Sequence, residues 1–186
     1  MATLKFRFDL GKLVNALAYF ADAGVGDLTK LKAAKLLYLA DQRHLFKFGR
    51  PITGDRYVAM DLGPVPESAY QLIGLQTKSV PDLDVFSDSE IEVLKGIVAD
   101  YGSVGASDLV RLSHQHAAYK RADASRASGS IVELPYDYFF DDAPAGSEGA
   151  RALADNEQAD LGFAEALDAA GRKALAQKQP GSHVAH

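Results

Sequence analysis

The chain has 186 residues, 47% of them hydrophobic, with no Cys and a formal net charge of −5. That is enough apolar material for one domain plus a tail, and the lack of Cys excludes a disulfide framework, a thiol nucleophile and a thiolate metal site. The opening MATLKFRFDL lacks the apolar centre of a signal peptide, and no stretch approaches the ~20 apolar residues that span a bilayer, so a cytoplasmic protein with no membrane partner is expected.

Leu4, Phe6 and Phe8 alternate with polar neighbours and suggest a short strand. Asp9 is placed to cap a helix running to Ala23, with Leu10, Leu13, Val14, Leu17 and Phe20 along one stripe. Leu28 to Pro66 follows as the central unit. Thr29 caps a helix from Lys30 to Phe48, Gly49 stops it, and Pro51 forbids its resumption. Leu31, Ala34, Leu37, Tyr38, Leu45 and Phe48 share one face, and Asp41 falls in the middle of it. A carboxylate there costs several kcal/mol, on the order of a buried unpaired ion, unless it is hydrogen-bonded. The next segment is the natural supplier of donors. It reads as a hairpin over 51–60, two short strands around Gly54-Asp55, with Tyr57 or backbone N–H groups reaching Asp41. An apolar filler at 41 is then expected to cost less than Ala, which leaves a cavity. Gly63-Pro64-Val65-Pro66 reads as a rigid turn that starts a helix from about Pro66 to Leu75.

Residues 77–86, with Pro81, read as a loop. Ser87 and Glu90 form a capping box for a helix with Ile91, Leu94, Val98 and Tyr101 inward, stopped by Gly102. Ser107 is expected to cap a helix to about Tyr119, with a short helix after it to Ala127. Residues 131–140 contain Pro135 and four aromatics, and read either as a strand beside the N-terminal segment or as an extended clamp across the helices. Residues 141–148 read as a linker, 151–178 as a helix that is detached or needs a partner, and 179–186 as disordered. The expectation is a mainly α (α+β) fold of about six helices with a small hairpin after the central helix. Its domain spans 1–140, and 141–186 form an acidic linker and tail.

The block LLYLADQRHLFKFGRPITGDRYVAMDLGPVPESAY resembles the signature of the Panacea domain, the SocA-like antitoxin family: K-L-L-Y-x-A-D, then G-R-P-I-T-G-D-x-Y-x-A, then G-P-V. A second matching piece runs from Asp108 to His114, and the resemblance covers about Leu10 to Ala122. Where the family commonly has a Trp a few residues later, this chain has Tyr119. Residues 131–186 carry no matching motif. The resemblance implies an antitoxin that binds and neutralises a cognate protein toxin, with no catalytic residue, cofactor or metal of its own. A variant is an adaptor that hands the toxin to a AAA+ protease, and another is a DNA-binding autoregulator of its operon. Asp41, His44, Gly49, Pro51, Gly54, Gly63, Pro64 and His114 are assigned to the structural motif.

The residues also bear on the alternatives. His114 and His116, two apart, fall on different helix faces and lack the four-residue spacing of a helical zinc pair. Asp41 and His44, three apart, are close enough for an acid–base pair, although a buried structural carboxylate is the more common reading. Residues 1–60 carry ten basic and five acidic side chains, whereas 141–168 carry eight acidic ones against Arg151 alone. Lys32, Lys35, Arg43 and Lys47 share a face of the central helix, but apolar residues interleave with them and the acidic total argues against a dedicated nucleic-acid binder. The candidate partner surface is Asp55, Arg56, Tyr57 and Asp61 on the hairpin with Arg43 and Lys47 on the helix. Self-association is left open.

Overall fold

The computed structural model describes residues 4–74 and 80–151. The chain is mainly α with one small sheet. Seven α-helices and three strands lie wholly within the described residues, in the order α1 (Leu10–Asp22), α2 (Lys30–Phe48), β1 (Tyr57–Met60), β2 (Gly63–Pro66), α3 (Glu67–Leu72), α4 (Asp88–Tyr101), α5 (Ala106–Gln115), α6 (Ala117–Asp123), β3 (Val132–Glu133) and α7 (Tyr136–Phe139), and residues 148–151 are helical at the end of the described chain. Past Arg151, the expected helix over 151–178 and the last eight residues lie outside the described residues.

Helix ends follow their caps. Asp9 accepts from the Lys12 N–H at 3.0 Å and Thr29 from the Lys32 N–H at 3.2 Å. Gly49 ends α2 at φ 71, in the left-handed region that Gly enters cheaply. At α4 the Glu90 carboxylate accepts from the Ser87 N–H at 2.9 Å, completing the capping box.

Helix α2 is the axis of the core. It packs against α1, α3, α4, α5 and β2 and is buried on nearly every side, Lys32 and Lys35 included. These two lysines therefore do not join Arg43 and Lys47 on an exposed basic face. Lys32 donates to the carbonyls of Gly26 at 2.7 Å and Gly102 at 2.8 Å, tying two loop ends to the helix. Phe48 is exposed, as is Leu10 on α1, because each stands in the end turn of its helix, past the neighbours that cover the middle. On α4 the buried apolar residues are Val93, Leu94 and Ile97, with Ile91, Val98 and Tyr101 flanking, a rotation of the expected stripe toward α2.

The hairpin is displaced from 51–60. Its strands are β1 and β2, paired antiparallel from Tyr57↔Pro66 to Met60↔Gly63, so the reversal is at Asp61-Leu62 and Gly63–Pro66 is a strand rather than a turn. Residues 51–56 form an irregular loop because their polar backbone groups are drawn to Asp41 instead of a ladder. Residues 4–9 form no strand. They run extended beside that loop, with the Asp9 N–H on the Thr53 carbonyl at 2.9 Å.

Strand β3 joins the other side of β1, giving the order β2-β1-β3. After Pro135 the chain turns into α7, whose Tyr136 and Phe139 are buried. The aromatic stretch is thus a strand beside β1 followed by a helical turn. Helix α5 starts from Gly105 rather than Ser107, and the expected single helix breaks at His116. The break is held by Asp142, which accepts from the N–H groups of Ala117 at 2.6 Å and Ala118 at 2.9 Å and so caps α6 from a distant segment. Replacing that cap, Asp142→Ala, is expected to destabilise the protein by about 1–2 kcal/mol in urea unfolding. Asp141→Ala, which loses only a surface ion pair with Arg121, should be near neutral.

Candidate functional site

The middle of α2 faces the 51–57 loop, and Asp41 lies between them, fully buried. Its Oδ1 accepts from the N–H groups of Ile52 at 2.9 Å and Thr53 at 2.8 Å, and its Oδ2 accepts from the Thr53 hydroxyl at 2.5 Å and the Tyr57 hydroxyl at 3.0 Å. Burial pushes the carboxyl up to about 6, against the downward pull of the Thr53, Tyr57 and Ile52 donors. Leu or Ala at 41 orphans the same four donors, two buried N–H groups and two hydroxyls, at about 1–3 kcal/mol each, and Ala leaves a cavity in addition. Gly54 completes the loop at φ 64, where an added Cβ would run into the Arg7 carbonyl.

A second buried carboxylate lies one turn of chain away. Asp55 accepts from the N–H groups of Arg56 at 2.8 Å, Ser68 at 3.1 Å and Ala69 at 2.8 Å, and so caps α3. Its own carbonyl accepts from the Tyr136 hydroxyl at 2.7 Å. Tyr57 is buried between Tyr38, Tyr136 and Phe139, with ring centroids 5.4–5.9 Å away. Asp55 and Tyr57 are therefore buried and not part of the outer surface of the hairpin. They hold the hairpin from below.

His44 does not pair with Asp41. Its Nδ1 meets the Arg50 carbonyl at 2.7 Å and its Nε2 the Ser89 hydroxyl at 3.1 Å. Beside it, buried Glu90 receives Lys12 at 2.7 Å and also Arg50. Burial works against the Glu90 charge, yet Lys12, the Ser87 N–H and Arg50 outweigh it and hold the carboxyl below its usual range. His114 stacks on Tyr119 at 4.6 Å, and the Tyr119 hydroxyl donates to the Met60 carbonyl at 2.8 Å. His116 stands apart from His114, with Nδ1 3.0 Å from the Tyr38 hydroxyl. No group of three His, Cys, Asp or Glu placed to hold a metal ion occurs among the described residues.

Three residues that periodicity and spacing do not single out carry much of the arrangement. Glu90 is legible only as a helix cap, Tyr136 only as one aromatic among four, and Lys35 only as a surface base. In the fold Lys35 is fully buried and donates to the Pro64 carbonyl at 2.7 Å. Desolvation lowers its ammonium to about 7. Gly63, at φ 91, lies against this contact, and a Cβ there would come within 2.7 Å of the Ser113 hydroxyl and 2.9 Å of the Lys35 Nζ. The Gly-Pro pair is thus matched to Lys35 and Ser113 by space as well as by hydrogen bonding.

At the surface, Arg43 pairs with Asp100 at 2.7 Å and Lys47 with Glu92 at 3.2 Å. Arg56 bridges Glu67 at 3.0 Å and Glu133 at 3.6 Å, and Asp61 meets Arg126 at 2.6 Å. The six candidate partner residues are therefore not one surface. Four are outside, in two separate pairs on α2 and on the hairpin, and two are buried.

In comparison with known proteins, residues 34–120 match the model of the family described as Antitoxin SocA-like, Panacea domain. This span runs from α2 into α6 and contains Asp41 with all four of its donors. No curated protein and no solved structure matches the chain.

Two pH dependences follow from the buried charges. The folded state holds the Asp41 proton up to about pH 6 and the unfolded chain only to about 3.8. The stability that Asp41 contributes should therefore fall as pH rises through that window, by on the order of 2–3 kcal/mol. Urea titrations of wild type and Asp41→Asn from pH 4 to 7 read this as a difference between the two that changes with pH, and a constant difference would refute it. Lys35 has the opposite slope. The folded protein sheds this proton near pH 7 and the unfolded chain near 10.5, so stability relative to Lys35→Met should rise between those values.

Proposed function

We propose that this SocA-like Panacea-domain chain is an antitoxin that neutralises a cognate protein toxin by binding it directly in the cytoplasm, with no catalysis of its own. The observation that carries this reading is the match of residues 34–120 to an antitoxin family over the segment that builds most of the core. The local chemistry supports it. Asp41 spends both oxygens on four fixed donors, and His44 is engaged by Arg50 and Ser89, so the one acid–base pair suggested by spacing is not assembled.

A binding role calls for a rigid surface with accessible polar groups, since preorganised groups lose little entropy on association. Arg56 and Asp61 meet that requirement. They flank β1 on a hairpin anchored beneath by Asp55 and Tyr57. Arg43 and Lys47 form a second, separate candidate surface on α2. Delivery of the bound toxin to a AAA+ protease is a variant that begins with the same complex.

The test starts from the gene next to this one. An adjacent open reading frame that can be cloned only together with this chain is the expected toxin. In calorimetry with its product, Arg56→Glu and Asp61→Lys should each weaken binding by over ~1 kcal/mol. Melting temperatures should stay near wild type, because exposed ion pairs contribute ~0–1 kcal/mol. Normal binding by both variants would move the surface elsewhere, and a neighbour cloned freely alone would remove the antitoxin reading.

A further inference from the structure

The sheet has two edges, and they differ in a way that matters for a binding protein. Register decides which backbone groups point outward. Glu67 donates to the Arg56 carbonyl at 2.8 Å, and Met60 pairs with Gly63 across the hairpin. On β2 the groups of Gly63 and Val65 therefore face β1, while those of Pro64 and Pro66 face out. Proline has no N–H, so this edge offers no donor. Its Pro64 carbonyl is already taken by buried Lys35 at 2.7 Å. The β2 edge is closed to a further strand.

Among the described residues the β3 edge is open. Leu134 donates to the Tyr57 carbonyl at 2.9 Å, so Val132 and Leu134 face β1 and the N–H and C=O groups of Ile131 and Glu133 face out. Among the described residues no hydrogen bond is made by those two N–H groups. Ile131 is 61% exposed, and Leu62 at the hairpin tip is 52% exposed. Next to the edge lies a cavity of about 360 Å³ whose lining includes Leu4, Phe6, Leu134, Pro135 and Tyr136. Lys5, which also lines it, and Arg7, two residues on and lining the neighbouring cavity, form no ion pair among the described residues, whereas Glu133 is already held by Arg56.

We propose that the outer edge of β3 is the docking site for an extended segment of the toxin, which adds to the sheet as a fourth strand. The inference rests on the antitoxin reading and specifies its contact. Main-chain hydrogen bonds to Ile131 and Glu133 supply the pairing. An apolar side chain of the incoming strand enters the ring-lined cavity, and an acidic neighbour meets Lys5 and Arg7. The partner segment is thus extended, apolar at alternate positions and flanked by a carboxylate.

The edge is tested by removing one outward N–H and little else. Glu133→Pro deletes that donor at an edge position which the fold itself does not use. Glu133→Ala deletes only the side chain and its ion pair. With the product of the adjacent gene as probe, Glu133→Pro is expected to weaken binding by about tenfold or more while Glu133→Ala stays within about twofold. Thermal unfolding reports whether each variant is intact, and Ile131→Asp, which leaves the backbone as it is, should weaken binding as well. If folded Glu133→Pro and Ile131→Asp both bind like wild type, the edge is not the contact while the antitoxin reading stands. If wild type does not bind the probe, both fall. Sedimentation of the chain alone gives the remaining outcome: a dimer that Glu133→Pro dissociates means that a second copy covers the edge, and the toxin assignment is overturned.

Discussion

The structure depends on one buried carboxylate. Asp41 lies inside a helix that is covered on nearly every side, where an ion without partners would cost several kcal/mol, on the order of the whole stability of a domain. Two backbone N–H groups, one threonine hydroxyl and one tyrosine hydroxyl meet it, all from residues 52–57. The contact dictates the path of the chain. It holds the 51–56 loop against α2 in an irregular conformation, and Tyr57 then enters β1 with its ring already in the core. The sheet is thereby hung from the central helix at a defined height and register.

Other polar contacts of the same kind fasten segments far apart in sequence. Asp55 caps α3, Asp142 caps α6 across the break at His116, and Glu90 gathers Lys12 of α1 and Arg50 of the loop at the start of α4. Lys32 and Lys35 spend their ammonium groups on backbone carbonyls at loop ends and at β2. Buried charges are a poor source of net stability, since desolvation consumes most of what pairing returns. Their directional bonds instead select one arrangement of short elements. Helices of six, seven and four residues such as α3, α6 and α7 have little intrinsic stability and take their positions from such contacts.

This construction suits recognition by a rigid surface. The hairpin and β3 are braced from beneath by Tyr57, Tyr136 and Phe139, so groups at the sheet margin are held in place before any partner arrives. One margin is closed by prolines and by Lys35, and the other, among the described residues, carries unpaired backbone N–H groups at Ile131 and Glu133. A sheet with a single open edge can be extended in one direction only, which restricts both partner geometry and unwanted self-pairing.

The sequence by itself determined α1, α2 and α4 with their caps, the fold class, the resemblance of the central block to the Panacea signature, and the need of Asp41 for donors from the segment after Gly49. These are local properties: capping, periodicity and the expense of a buried charge are written within a few residues. Tertiary structure decided the rest. The hairpin moved to 57–66 because Asp41 claims the N–H groups of 52 and 53, which a hairpin over 51–60 would have spent on its own ladder. Asp55 went inside because α3 needed a cap, while Tyr57 reaches Asp41 as its position in the chain suggested. The helix from 106 broke at 116 because Asp142, 26 residues on, fills its N–H groups. Lys35, which reads as a surface base, is buried because the outward carbonyl of Pro64 lacks any other donor. In each case the deciding partner lies more than ten residues away, and no pattern along the chain records which distant group will arrive.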